Sequence, residues 1–410
     1  MSATNTPTTL ASRLKEIYPE GPTQLVPAAN ELFGKRLEFR KDIEHGKKIV
    51  FDVQLSGEQG FTVGTGDVTL LGAVAQTSVP AEVTGVSVIL QSNVSYDAIS
   101  RAKTNKQAFA AFNSQKYVPS AESFRTRGEL YCMGYGRQGL GVLSADDDGA
   151  GGLTISPASW SAATWLTLMG ATIQGFTALT GGSQHDGDMV VTGVDVTNRK
   201  ITVSGTSTSL ASGDILFLKG NRGVAPIGLM DIAKNTGVLH NISAATYALW
   251  AANAFDVGTS ALTLGKISLA SALSADKGCI EKLTCLVPNK AFQAMVNDEA
   301  AKIEHGAKYN PKKGESGFES LVMHGATGPI EVIPYMFAKE GEFVMFPERY
   351  TYLLGSEEMT NSLAKDGDIM FDLESTSAKQ IRWFGDYTVF CEKPGYITYG
   401  TRSDGAALHT

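Results

Sequence analysis

Residues 47–55, "KKIVFDVQL", open the passage that decides the fold. Ile49, Phe51, Val53 and Leu55 alternate with Lys48, Val50, Asp52 and Gln54. Side chains along a strand point to opposite faces in turn, so these four share one apolar face. Further on, "VTGVSVILQSNVSY" (83–96) reads as a second strand. Between them lies "SGEQGFTVGTGDVTLLGAVAQTSVPAE", rich in glycine, with an apolar patch at 68–74 that includes Leu70 and Leu71. Two readings stand: one long hairpin over 47–101 with an elaborated tip, or two strands of an ordinary sheet joined by a long loop. A two-stranded hairpin is marginal on its own in water. A long one with an apolar face must therefore lie on something.

Upstream, residues 1–9 carry no pattern. Leu10, Leu14 and Ile17 then fall on one helical stripe, which Pro19 and Gly21-Pro22 end. A second short helix is expected at 27–33. Two short amphipathic helices have too little area to bury alone, so residues 1–46 read as an arm. Downstream, Ser120 and Glu122 after Pro119 look like a helix start, and Phe124, Tyr131, Tyr135 and Val142 fall on one helical face. Five glycines over 128–141 weaken that helix, each costing about 1 kcal/mol against alanine.

Trp160, Trp165 and Leu168 form another helical stripe. Val190, Val194 and Val196 lead into the turn Thr197-Asn198-Arg199, and Ile201 and Val203 lead out, which is a hairpin. Gly213-Asp214 turns into a strand at 215–218, so this block reads as a small β-subdomain. From residue 223 onward short helices and strands alternate, giving an α+β second half. No internal repeat is found.

The 410 residues are 43% hydrophobic and 19% charged, an ordinary folded composition. A net charge of -7 argues against a broad basic surface for nucleic acid. The start "MSATNTPTTL" lacks the apolar stretch of a secretory signal, and no apolar run is long enough for a membrane span. Four cysteines (Cys132, Cys279, Cys285, Cys391) show no CxxC spacing and read as thiols in a reducing compartment.

Candidate chemistry is thin. Gly134, Gly136 and Gly139 match GxGxxG, but the following "LGVLSADDDGAGG" cannot supply the helix that dinucleotide binding needs. Ser144, Asp146 and Asp148 resemble the start of a calcium loop, yet its twelfth position is Ile155 where a glutamate is required. His185 with Asp186 and Asp188 reads as a polar loop. The six histidines (His45, His185, His240, His305, His324, His409) form no metal or catalytic pair in sequence. The corner "VPNKAF" could place Asn289 or Lys290 at a strand-to-helix active site. The plainer reading makes Pro288 a strand terminator and Asn289 a helix N-cap, with Phe292, Met295 and Val296 buried. No cofactor or metal is expected.

Three passages carry a resemblance. "GLMDIAKNTGVLHNISAATYALWAANAF" (228–255) has Gly237, Ile242, Ser243 and Trp250 in a Gly…Ile-Ser…Trp arrangement. "LTCLVPNKAFQAM" gives strand, corner and helix. "RGELYCMGYGRQGLGVLSADDDGAGG" gives a helix with an Asp/Gly-rich ending. Together with the order of parts, these resemble the major capsid protein of tailed bacteriophages, the fold shared with encapsulins and herpesvirus capsid floors. The spine segment holds more glycine than that pattern, and the corner reads Pro-Asn in place of Asn-Pro.

The resemblance implies an α+β fold with five parts: an N-terminal arm (1–46), an extended hairpin or E-loop (47–101), a peripheral domain with spine helix and β-subdomain (102–227), an axial domain (228–335), and a return to the peripheral domain (336–410). It also implies a structural protein, not an enzyme, that assembles with itself as pentamers and hexamers in an icosahedral shell around double-stranded DNA. The DNA would be touched weakly and without sequence preference. Scaffolding, portal and cement proteins are the further partners it suggests, with no membrane. It further implies assembly in the host cytoplasm, with the virion capsid as the product. Leu10, Leu14, Ile17, Ile49, Phe51, Val53, Leu55, Leu70 and Leu71 are the expected assembly contacts. The competing readings are another virion part, such as a tail or baseplate protein, and an α/β enzyme centred on Asn289 or a split Ser-His-Asp site.

Overall fold

The computed structural model describes residues 27, 31–40, 46–70, 72–95, 117–205, 209–297, 321–361, 370–372 and 378–410. The chain divides into two units. One holds Met1–Val26, Leu90–Phe124 and Asn361–Trp383; the other holds Pro27–Ile89, Arg125–Thr360 and Phe384–Thr410. The arm helix expected at Leu10, Leu14 and Ile17 lies outside the described residues. Within 27–33, residues 31–33 form a bend and a bridge instead of a helix.

The hairpin exists, with a different second strand. β1 (Ile49–Ser56) pairs antiparallel with β2 (Thr77–Val83), setting Phe51 opposite Ala81 and Val53 opposite Val79. Alternation alone places the return strand at 83–96. Pro80 obscured β2, because proline is tolerated only where its missing N–H is not needed, as on this two-stranded ribbon. β3 (Val86–Ser95) instead joins the long strand Ala378–Cys391.

The spine is a single helix, α1 (Val118–Met133). Pro119 sits in its first turn, where a missing N–H is harmless. Ser120 is inside the helix, not its cap, and its hydroxyl donates to the Tyr117 carbonyl at 2.7 Å. The helix stops at Gly134, whose φ of 100° suits glycine and few other residues. Phe124 and Tyr131 are buried on the helix as expected, but Tyr135 follows it and Val142 belongs to a strand.

The β-subdomain is a small closed barrel. β4 (Gly141–Val142), β5 (Gly152–Thr154), β6 (Thr172–Phe176), β7 (Gln184–Asp195), β8 (Lys200–Ser204) and β9 (Ile215–Leu218) run in the order β4-β9-β6-β7-β8-β5. The two ends meet through the Leu143–Ile155 bridge and the Ser144 N–H donating to the Thr154 carbonyl at 2.9 Å. Closure leaves no free edge at that seam. The short helix α2 (Ala162–Thr167) carries Trp165; Trp160 and Leu168 flank it, and all three are buried.

After α3 (Leu229–Ala233) comes a two-residue ribbon, β10 (Val238–Leu239) with β11 (Ile242–Ser243). A six-stranded mixed sheet follows, built from β12 (Asn253–Asp256), β13 (Leu283–Val287), β14 (Leu321–Gly325), β15 (Gly328–Pro334), β16 (Glu342–Phe346) and the last strand, Thr398–Thr401. Every residue of β13 is buried, as befits a central strand. α4 (Leu264–Asp276) and α5 (Asn289–Val296) supply Leu264, Ile267, Phe292 and Met295 to the apolar cluster around Leu283, Cys285, Ile330 and Phe343.

The remaining sheet contains β17 (Thr351–Asn361), β18 (Met370–Asp372) and β19 (Ala378–Cys391), in the order β17-β19-β18 with β3 also on β19; Thr398–Thr401 is β20. Within the smaller unit, the Trp383 indole donates to Ser120 Oγ at 2.8 Å and its ring lies 5.0 Å from that of Tyr117.

Candidate assembly surface

The root of the hairpin is dried by its own chain. Ile49, Leu55, Ala81 and Val83 are buried, and Phe51, Val53 and Val79 pack against a cluster of Ile242, Trp250, Tyr352, Leu354 and Phe390. The Phe51 ring stacks on Phe390 with centroids 4.8 Å apart and planes 13° apart. The tight turn between β10 and β11 fixes β2: the Glu82 N–H donates to the His240 carbonyl at 3.0 Å. His240 and Asn241 both have positive φ, 51° and 68°, as a two-residue reversal requires. Burial pushes the His240 imidazole down to about 4, so it sits neutral against Phe390. Ile49, Phe51, Val53 and Leu55, the expected assembly contacts at the hairpin root, therefore meet the body of their own chain, with Phe51 and Val53 half-buried there. The alternation was read rightly, but the body of the same chain supplies the covering surface.

The tip behaves differently. Phe61 is 75% exposed, Val63 95%, Leu70 83% and Val74 53%. Across the tip the Gln59 N–H donates to the Val74 carbonyl at 3.1 Å, which holds the loop together at its base. Glu58 and Asp67 are the charged residues between 57 and 76, so the tip is apolar and weakly acidic. Several large apolar side chains exposed along one loop mark an interaction surface more often than chance exposure does. Leu70, expected from the 68–74 patch, belongs here; Leu71 lies outside the described residues. Phe61 and Val63 were missed. Their signal was the period-two pair Phe-Thr-Val directly after Gly60, hidden among the loop's glycines.

The sequence's chemical candidates resolve into structural parts. Gly134, Gly136 and Gly139 follow a helix, not a strand, so the phosphate-cradling arrangement is absent. Asp148 accepts from the Ala150 and Gly152 N–H groups at 2.9 and 2.8 Å and pairs with Lys200, which makes a turn. His185 Nδ1 lies 2.8 Å from Asp214, while Asp188 pairs with Gln174 and Lys219. Among the described residues no cluster of His, Cys, Asp and Glu is set to hold a metal. His45 and His305 lie outside those residues.

At the 288–290 corner, Pro288 itself occupies the N-cap position and makes no side-chain cap; Asn289 is the first helical residue, so its expected capping role is corrected. Lys290 pairs with Glu340 at 2.6 Å. A cleft of about 270 Å³ is lined by Lys35, Arg36, Arg40, Glu348 and Arg349, among others. Its cations are engaged: Arg36 with Glu348 and Glu331, Lys35 with Glu31, Arg349 with Glu281.

The strongly shifted groups sit at joints between elements. Burial pushes Asp231 up to about 6 while its carboxylate accepts from the Gly228 N–H and the Gln138 amide. Burial brings Lys339 down to about 8, where its ammonium donates to the Gly139 carbonyl at 2.9 Å. Both side chains are buried and spend their polar atoms on hydrogen bonds to neighbouring elements.

No family model matches this chain, and no curated protein matches it by sequence. Solved structures do. The capsid asymmetric unit of cyanophage A-1(L) matches with a TM-score of 0.59 at 10% identity, covering 99% of this chain and 100% of that one. This is the tailed-phage capsid fold. The capsid of the native GTA particle matches with a TM-score of 0.50 at 8% identity, covering 99% of this chain and 100% of the other. The match to the cyanophage capsid runs through nearly the whole chain. At such identity surface side chains are not inherited from the match, so contacts must be read from this chain's own surface. No helix among the described residues is long and apolar enough to cross a membrane.

Proposed function

We propose that this chain is the major capsid protein of a tailed phage, assembling with copies of itself as pentamers and hexamers into an icosahedral shell around double-stranded DNA. The observation that carries the reading is the division of labour along the hairpin. Its root is packed on its own body, and its tip holds Phe61, Val63, Leu70 and Val74 out in solvent. Fully burying such a side chain contributes about 1.5–3 kcal/mol. One tip seated on a neighbour thus offers several kcal/mol before the cost of ordering two chains is subtracted. Many such contacts add by avidity in a closed lattice, while each alone stays weak enough to rearrange. The whole-chain likeness to a capsid subunit supports the shell over a small oligomer.

The net charge of -7 suits an inner wall that touches packaged DNA loosely. Scaffolding, portal and cement proteins would complete the particle, built in the host cytoplasm. Expression of the full chain followed by electron microscopy tests the reading. Closed shells support it, tubes or rings favour a tail or baseplate part, and monodisperse monomers at high concentration overturn both.

A further inference from the structure

Residues 31–40 form a strap across the larger unit. Leu32 and Leu37 are fully buried and Phe33 is 5% exposed. The Phe33 ring lies against Tyr387, centroids 5.1 Å apart, and over Gly128, where a Cβ would come within 3.0 Å of it. The strap's far end is stitched by the Arg40 N–H donating to the Leu353 carbonyl at 3.0 Å and the Leu353 N–H donating to the Glu38 carbonyl at 2.9 Å.

Under the strap lies Glu129 of α1, fully buried. Its Oε1 accepts from the Leu32 and Phe33 N–H groups, both at 3.0 Å, and its Oε2 is 2.8 Å from the Tyr335 hydroxyl. The titratable groups facing it are Glu31 from the strap, Cys132 on its own helix, Tyr335 beyond β15 and Tyr387 on β19. Among the described residues no lysine or arginine pairs with it. A carboxylate buried without a cation is costly. The neutral acid fits the same site: Oε1 still accepts from both N–H groups, and Oε2–H donates to the Tyr335 oxygen.

We propose that Glu129 is a proton-operated lock on the 31–40 strap, seated firmly while the carboxyl keeps its proton and loosened as the carboxyl ionises. Burial pushes this group up to about 7 from its ordinary 4.5. Lifting the strap would expose the carboxyl to water and restore the ordinary value. The seated form thus holds its proton more tightly than the lifted form. The Glu129 contribution to seating is full below 4.5, weakens as pH rises through the window between the two values, and is level above about 7. Between pH 5.5 and 7.5 the open population rises on the order of twentyfold.

The test is amide hydrogen exchange of peptides covering 31–40 in the full chain at pH 5.5 and 7.5, corrected for the intrinsic exchange rate. Wild type is expected to open about twentyfold more at pH 7.5. Glu129→Gln presents the same donor and acceptor pattern as the neutral acid and is expected to stay closed and flat across the two pH values. Tyr335→Phe, lacking the hydroxyl that accepts from the neutral acid, is expected to open the strap at pH 5.5. A wild-type strap whose opening does not change with pH overturns the proposal, whatever the variants do. So does a folded Glu129→Gln chain that keeps the full pH dependence.

Discussion

Replacing Phe61 and Leu70 together by serine removes two side chains that the isolated chain leaves 75% and 83% exposed. If a neighbouring copy covers them, each forfeits most of the ~1.5–3 kcal/mol of a fully buried side chain. The pair then weakens the tip contact by about 3 kcal/mol, on the order of a hundredfold in its equilibrium constant. The fold itself should barely notice, because surface changes away from the core stay within about 0.5 kcal/mol. Light scattering against concentration, with electron microscopy of the products, reads the assembly threshold; chemical denaturation of the unassembled chain reads the fold. The expected outcome is a threshold raised at least tenfold with an unchanged denaturation midpoint. Shells forming at the wild-type threshold would refute the reasoning. An unfolding free energy lowered by several kcal/mol would also refute it, since the tip would then be part of the chain's own core.

Four further outcomes follow from the packing. Phe51→Ala should lower the stability of the unassembled chain by about 2 kcal/mol, because its half-buried ring stacks on Phe390; denaturant titration checks this. Gly228→Ala should cost about 3 kcal/mol or abolish soluble expression, since a Cβ there would sit 2.3 Å from the Gly134 nitrogen and the Tyr131 oxygen, both backbone atoms. His240 has a folded value near 4 against an ordinary 6.5, so the unfolded chain binds the extra proton. Its stabilising effect is present above 6.5 and is lost as pH falls through 4, about 3 kcal/mol in all. Glu129 acts in the opposite sense over an overlapping range, so the His240 effect is read as the difference between wild type and His240→Asn at pH 4 and 7. Asn289→Ala should leave assembly and stability within about 1 kcal/mol of wild type, because Asn289 caps nothing, whereas Lys290→Ala should cost about 1–2 kcal/mol in denaturant titration, because it strips the partner from Glu340, whose side chain is only 11% exposed.

Local periodicity was legible wherever one element explains its own pattern. The strand at Ile215–Leu218, the turn at 197–199 and the helix α5 after the 288–290 corner appear where alternation and stripe place them. β2 was not legible, because Pro80 reads as a strand breaker until the strand is known to pair on one side only. The end of α1 at Gly134 was half legible: the glycines weaken the helix, but only the φ of 100° marks where it stops. Which surface covers an apolar face is a tertiary fact. Ile49, Phe51, Val53 and Leu55 carry the same pattern whether Phe390 and Trp250 or a second chain lies opposite, so the sequence could place the face but not its partner. Glu129 is the extreme case. Nothing in "RGELYCM" distinguishes a buried carboxyl from a solvated one, and its partners Leu32 and Tyr335 lie 97 and 206 residues away.

The most direct test of the account is an electron cryomicroscopy reconstruction of whatever the purified full-length chain forms. The expected result is a closed shell in which Phe61, Val63 and Leu70 of each subunit are covered by a neighbouring copy, while Phe51 remains stacked on its own Phe390. Particles whose hairpin tips stand free in solvent, or a chain that stays monomeric at every concentration tried, would contradict it.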